Sequence, residues 1–346
     1  MTTEPFFSIC IPQYNRAQKL LRLLESIKIQ NYKSYEVCIS DGKSTDNSLE
    51  LSENYLTTHN INHSISRANK QRRYDENIRN SIAISKGKFL ILMGNDDLLK
   101  DENSLQDLYK ILNCLDYSNF GFLITNFQDL ESGSTYYRVG ETLNNKNIFK
   151  VSEIFRSLSF VSGLVFNASF AKKYSSNEVD GSEMYQMYLA AKFLSNDVYC
   201  KLSSLVSVRK DPGDGLLNLA ENQLPLPMSK IPNTIAYGIG LKSGEINREL
   251  RSVIIQLYLY IYPYWIYRYR GSVDKKIWLK FCASLDPKNL QLKYGMIGNK
   301  FQYHLLRTIY YLSIIASICI PKRIFDYILP FLHKIAKRKM GGSVGI

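Results

Sequence analysis

The sequence predicts an α/β fold: a mostly parallel sheet flanked by helices, with a helical region behind it. Three observations carry this expectation. Strand-like and helix-like segments alternate through the first third of the chain, the pattern of βαβ units. The run Phe89-Leu90-Ile91-Leu92-Met93 is apolar throughout, as in a parallel strand covered on both faces. After the Pro-, Gly- and Asn-rich stretch 211–233 the strand signal gives way to Tyr-rich helical segments. The expected division is residues 1–225 for the α/β domain and 226–346 for a helical region.

Taken in order, Phe6–Ile11 reads as a first strand stopped by Pro12. Leu20, Leu21, Leu23, Leu24 and Ile27 recur at helical spacing, so 17–30 is an amphipathic helix. Residues 36–40 are a second strand, and 46–55 a second helix capped by Ser44 or Thr45. A weak third strand spans 62–66; a helix over 75–85 follows, with Gly87 as its stop signal. Beyond the apolar run at 89, helices are expected over 105–115 and 182–194, and strands over 120–127, 161–167 and 198–209. Helices are also expected over 246–268 and 275–285.

The bulk numbers narrow the function. At 346 residues with 45% hydrophobic and 22% charged content, the chain is globular rather than disordered. A net charge of +13 points to anionic partners: nucleic acid, anionic lipid, or nucleotide and pyrophosphate substrates. The 6 cysteines are scattered without metal-ligand spacing, which suits buried thiols in a reducing compartment. No secretory signal is read at the N-terminus, so a cytoplasmic location is expected.

The chemistry is expected where strands end. Three strand-end loops, Pro12-Gln13-Tyr14-Asn15-Arg16, Ser40-Asp41-Gly42-Lys43-Ser44 and Asn95-Asp96-Asp97, would emerge on one edge of a parallel sheet, where open α/β sheets bind ligands. Pro12 fixes a turn, and Tyr14 can lie against a base or ribose. Asp41 can accept from a pyrimidine N–H or a ribose hydroxyl, and Gly42 permits close backbone approach. Two adjacent carboxylates at 96 and 97 are explained most simply by a divalent cation carrying a phosphorylated substrate, Mg²⁺ or Mn²⁺ being suited to oxygen ligands. The plainer reading of Asn-Asp-Asp is a solvated turn.

Three stretches in order, SICIPQYNR, EVCISDGKSTDNS and YDENIRNSIAISKGKFLILMGNDD, resemble the GT-A family 2 glycosyltransferases over about residues 5–210. The SDGKSTD turn, the Asp75-x-Asn77 pair and the MGNDD form are most similar to abequosyltransferase-like enzymes of O-antigen and capsule biosynthesis. The resemblance implies an inverting transfer from a nucleotide-diphosphate sugar, a UDP-sugar foremost, to a polyprenyl-diphosphate-linked glycan. It implies that Asp41 reads the base beside Pro12 and Tyr14, that Asn15, Asn77 and Asn95 belong to the donor site, that Asp96 contacts ribose or diphosphate, and that Asp97 is the Mn²⁺ or Mg²⁺ ligand. Gly94 stands where the family often has an acid, and Asn95 replaces another. The family's general base lies in a Glu-Asp motif; the matching stretch 178–185 breaks that pair, leaving Glu183 and Asp180 as candidates, Glu183 first. Either acid could instead serve the first turn of a helix.

Two features stand outside the motifs. Residues 305–320 are apolar but too short for a confident transmembrane span, and 324–339 pair an apolar face with Lys334, Lys337, Arg338 and Lys339. This favours a peripheral anchor on an anionic membrane surface, at the inner face of the cell membrane, over a helical subdomain whose charged face is in water. The Tyr-rich run from Tyr258 to Tyr269 reads as packing in preference to a sugar or headgroup shelf. Rival readings are a non-catalytic carbohydrate-binding or scaffold protein on the same fold and, with less support, a nucleic-acid-binding protein, for which no motif is present.

Overall fold

A computed structural model describes residues 4–212, 227–241, 247–270, 272–289, 300–321 and 323–328. Its first part runs β1 (Phe7–Gln13), α1 (Ala17–Lys28), β2 (Tyr35–Asp41), α2 (Ser48–Thr58), β3 (His63–Ser66), α3 (Tyr74–Ala83) and β4 (Phe89–Leu92). Then follow β5 (Leu98–Leu99), α4 (Ser104–Leu112), β6 (Phe120–Asp129), β7 (Thr135–Tyr136), β8 (Asn147–Ile148) and α5 (Val151–Ile154). The α/β part ends with β9 (Leu164–Asn167), α6 (Ala168–Lys173), α7 (Tyr185–Leu194) and β10 (Tyr199–Lys210).

The main strand order is β3-β2-β1-β4-β9-β6-β10-β5, with β7 on β6 and β8 on β10. The pairs β1–β2, β1–β4, β2–β3 and β6–β10 are parallel. Within the run β9 lies antiparallel between β4 and β6, and β5 at the edge is antiparallel to β10. The reversal of β9 has a consequence for the site. The Gly163 N–H donates to Leu92 O at 3.1 Å, so the start of β9 lies beside the end of β4 and brings residues 161 and 162 to the acid loop.

Both faces of the central strands are buried, which explains their unbroken apolar character. Phe7, Ile9 and Ile11 face one core with Leu20 and Leu24 of α1 and Leu105 and Leu108 of α4. Cys10, Cys38 and Leu92 face the other core, which is continuous through Ile78 of α3 and Tyr188 of α7 into the C-terminal helices. Those helices are α8 (Ile231–Gly238), α9 (Arg248–Gln256), a π-helical turn (Leu257–Ile261), α10 (Tyr262–Arg270), α11 (Lys275–Ser284) and α12 (Lys300–Cys319). A Cβ at Gly238 of α8 would meet Ala191 Cβ of α7 at 2.5 Å, so glycine sets how closely these two helices pack.

Several sequence expectations are corrected. Pro12 does not stop β1; the strand continues to Gln13. Cys10 O accepts from Met93 N on the β4 side and Gln13 O from Gly42 N on the β2 side, so residue 12 faces β4 beyond the last paired residue, where no ladder bond is lost. Neither Ser44 nor Thr45 caps α2; Asn47 is its N-cap residue and the Asp46 carboxylate accepts from Ser48 N. Gly87 is not a helix stop, since Ile84 is the C-cap of α3. Glycine is needed at 87 because a Cβ there would lie 2.7 Å from the Phe7 carbonyl carbon. The helix expected from Ser182 begins at Tyr185, because Gly181 and Glu183 adopt left-handed backbone (φ +89° and +60°). The presumed loop 211–233 is helical from Pro227 onward, and 213–226 lie outside the described residues.

The Tyr-rich run packs: Tyr258 and Tyr262 are buried, donating to Leu285 O at 2.6 Å and Met228 O at 3.1 Å. The expected basic tail lies largely outside the described residues, Lys334, Lys337, Arg338 and Lys339 included. Among the described residues no helix is long and apolar enough to cross a membrane.

Candidate active site

At the C-terminal edge of β1 and β4 lies a cleft of about 520 Å³. Pro12 and Tyr14 line it from the first loop, Asn95, Asp96 and Asp97 from the acid loop, Asn77 from α3 and Glu183 from the turn before α7. Tyr74 lines it as well. Its phenol is held above the usual range by burial and then by the charges of Asp75, Asp97, Glu183 and Asp96.

The loops are fastened through Gln13. Its backbone carbonyl accepts from Gly42 N at 2.8 Å, its side-chain oxygen accepts from Asn95 Nδ2 at 2.8 Å, and its side-chain nitrogen donates to Asn15 O. An ionised acid at 95 could not donate to Gln13, which gives the asparagine there a structural reason. Asn77 is a second strut: Ser40 Oγ donates to its Oδ1 at 3.0 Å, and a Cβ at Gly42 would meet its Nδ2 at 2.7 Å. Close approach, rather than positive φ, is what requires glycine at 42.

Asn15 and Asp41 lie one step back from the cleft. Asn15 Oδ1 accepts from Thr45 N at 2.8 Å, tying the first two loops together. Asp41 is buried, and its carboxylate accepts from Lys43 N at 2.9 Å and from both N–H and O–H of Ser44. Asp180 is turned to a neighbouring cavity and is ion-paired with Arg79 at 2.6 Å. The structure therefore brings Glu183, and not Asp180, to the cleft with Asp96 and Asp97.

Asp97 is 4% exposed. Ser162 Oγ donates to its Oδ2 and Asp211 N to its Oδ1, the latter at 2.9 Å. Burial first, and then the neighbouring Asp96 charge, push its carboxyl up to about 7. Arg138, fully buried behind it, donates to Thr125 O, Phe160 O and Ser162 O at 2.7, 2.8 and 2.9 Å. Burial pushes that guanidinium down to about 9, while Asp97 acts in the opposite direction. Asp96 is ion-paired with Arg16 at 2.8 Å on the open side.

The donor chemistry here suits a hard divalent cation. Gly94 leaves a gap between the acids: a Cβ there would stand 2.9 Å from Asp97 Oδ2 and 3.1 Å from Asp96 Oδ1. Among the described residues no group of three or more His, Cys, Asp or Glu is placed to hold a metal ion. One or two carboxylates are what Mg²⁺ or Mn²⁺ takes from a protein when substrate phosphates and water complete the shell.

The sequence assigned no role to Gln13, Arg138 or Ser162, and marked Asp75 only as part of the Asp75-x-Asn77 pair. Asp75 is buried and accepts from Glu183 N at 2.7 Å and Tyr185 N at 3.0 Å. Gln13 carried a legible signal, a polar side chain at the end of a buried apolar strand. Arg138 and Ser162 are set by contacts distant in sequence and had none.

Comparison with known proteins gives a consistent result. Residues 8–163 match the family described as Glycosyl transferase family 2. Glycosyltransferase GlyG of Streptococcus pneumoniae is 23% identical over 253 residues, covering 67% of this chain and 81% of that protein. Abequosyltransferase RfbV of Salmonella typhimurium is 33% identical over 105 residues, covering 30% of this chain and 32% of that protein. The structure of mannosyltransferase PcManGT from Pyrobaculum calidifontis, solved with GDP-Man and Mn²⁺, superposes with a TM-score of 0.53 at 14% identity, covering 94% of this chain and 88% of that one. At that identity the superposition establishes the fold alone.

Proposed function

We propose, from the match of residues 8–163 to glycosyl transferase family 2 and from the GT-A fold, that this chain moves a sugar from a nucleotide-diphosphate donor to a hydroxyl of a lipid-linked glycan, with inversion, in bacterial surface polysaccharide assembly. One observation carries the proposal: a single cleft is lined by Pro12 and Tyr14, by Asp96 and Asp97, and by Glu183.

The base and ribose fall to Pro12, Tyr14 and the Asp41 turn, with Asn15, Asn77 and Asn95 holding those loops in place through Gln13 and Thr45. Asp96 and Asp97 would hold Mn²⁺ or Mg²⁺ and the diphosphate, Asp97 being the principal ligand. The cation, when bound, supplies positive charge against the leaving diphosphate. Glu183 takes the acceptor hydroxyl's proton as the new bond to the anomeric carbon forms and the bond to the diphosphate oxygen breaks. The left-handed backbone at Glu183, held by Asp75, fixes where that carboxylate starts. The donor is a nucleoside-diphosphate hexose or deoxyhexose, a UDP-sugar foremost; the GDP-Man and Mn²⁺ of the mannosyltransferase support a donor and cofactor of this class. Slow release of free sugar from UDP- or GDP-sugars, dependent on added Mn²⁺, tests the reading.

The catalytic domain of this proposal is residues 1–225, and the C-terminal region 226–346 holds it at the cytoplasmic face of the membrane. Leu305, Leu312, Ile315 and Ile318 are exposed on α12 at helical spacing, opposite the buried Leu306 and Tyr310. Such an apolar stripe matches the interfacial region of a bilayer, and residues 329–346 add four Lys or Arg and no acid, which favours anionic lipid. Sedimentation with anionic vesicles tests this part separately.

A further inference from the structure

A second cavity, about 790 Å³, opens between α5 and α9 and shares no lining residue with the acid-lined cleft. Three guanidinium groups, Arg156, Arg248 and Arg251, line it with the Glu153 carboxylate, the Glu249 carboxylate accepts from N and Oγ of the lining residue Ser152, and Ile148, Leu202 and Leu259 supply an apolar side. Arg156 is 3% exposed, so a charge is held where water is scarce. Arg248 and Arg251 reach the cavity from α9.

The backbone adds an independent sign. Just after α9 the helix passes into the π-helical turn Leu257–Ile261, and Leu259 and Tyr260 of that turn line the cavity. Single π turns are uncommon and concentrate at functional sites, because the extra residue re-aims the side chains that follow. The α9 N-terminus is not itself the anion site, since Asn247 Oδ1 already accepts from Leu250 N at 2.9 Å.

We infer that this cavity binds a phosphoryl group, with room on its apolar side for the hydrocarbon part of a phosphate or diphosphate ester. Guanidinium forks match phosphate oxygens two at a time, and three of them against the carboxylates of Glu153 and Glu249 leave an excess of positive charge. The apolar wall has no role for a free inorganic ion and favours an ester such as a prenyl diphosphate. The site stands whether or not the separate cleft transfers sugar.

The test is calorimetric titration of the whole protein, in a metal chelator, with inorganic pyrophosphate and with farnesyl diphosphate. At least one should bind at about millimolar concentration or below. The Arg248→Gln/Arg251→Gln variant should weaken that binding about tenfold or more, whereas Asp96→Asn/Asp97→Asn in the other cleft should change it by less than about twofold. Tighter binding of farnesyl diphosphate identifies an ester site; equal binding identifies a phosphate site, and both support the inference. No binding of either, or equal binding by wild type and the arginine variant, overturns it. Should the double variant fail to fold, the single Arg248→Gln variant, altered at an exposed helix position, makes the same comparison.

Discussion

Asp75 on α3 accepts the backbone N–H of Glu183, 108 residues further along the chain, at 2.7 Å. The same carboxylate also accepts from Tyr185 N at 3.0 Å and from Ser182 Oγ at 3.3 Å, so one buried acid gathers the turn that leads into α7. Glu183 keeps its left-handed backbone because these bonds hold both sides of it.

Replacing Asp75 with alanine should therefore do two things. It leaves buried donors unpaired, lowering stability by about 1–3 kcal/mol in urea unfolding. It also releases Glu183, so kcat should fall while the KM for the donor holds. A fall in donor affinity with unchanged kcat would place Asp75 in donor binding instead.

Glu183 and Asp180 make different predictions. Glu183→Gln should lower kcat by about 10²- to 10⁴-fold without loss of donor binding, the range for removal of a general base. Asp180→Asn breaks only the ion pair with Arg79 and should leave kcat within about tenfold of wild type, a partly exposed pair being a weak contribution. Steady-state kinetics on the two variants decides which acid is the base.

Gly94 sets the spacing of the acids. Gly94→Ala puts a methyl group 2.9 Å from Asp97 Oδ2 and 3.1 Å from Asp96 Oδ1. Mn²⁺ affinity should fall about tenfold or more, while the thermal midpoint in the absence of metal stays near that of wild type. Titration with Mn²⁺ followed by paramagnetic relaxation of water reads this directly.

The raised Asp97 carboxyl predicts a pH dependence with a definite sign. Without metal, the folded protein keeps a proton at Asp97 up to about 7, while the unfolded chain loses it near the ordinary aspartate value of 3.8. Between those values the folded state binds more protons, so this group makes stability fall as pH rises, by a total on the order of a few kcal/mol. Asp97→Asn removes the effect. Its urea midpoint should exceed that of wild type at about pH 8, and the gap should narrow at about pH 5.

Much of the framework was legible. The apolar runs at Phe7 and Phe89 marked central strands because burial on both faces leaves no polar alternation, and the three strand-end loops meet because β1, β2 and β4 are parallel neighbours. The position of β9 was not legible, since a short apolar strand carries no mark of its direction. Nor was the separation of Glu183 from Asp180. That depends on left-handed backbone at Gly181 and Glu183, which is fixed by Asp75 on a distant helix rather than by local preference. Arg138 illustrates the same limit: a buried arginine held by three carbonyls behind Asp97 looks in sequence like any loop cation.

The central claim is that Asp96 and Asp97 hold a divalent cation and a nucleotide diphosphate in one cleft. Calorimetric titration of UDP and GDP, with and without Mn²⁺, into wild type and Asp97→Asn tests it most directly. Binding of one nucleotide that requires Mn²⁺ and is lost in the variant is the predicted result. Nucleotide binding that is the same in the variant and indifferent to Mn²⁺, or no binding of either nucleotide at about millimolar concentration, would contradict it.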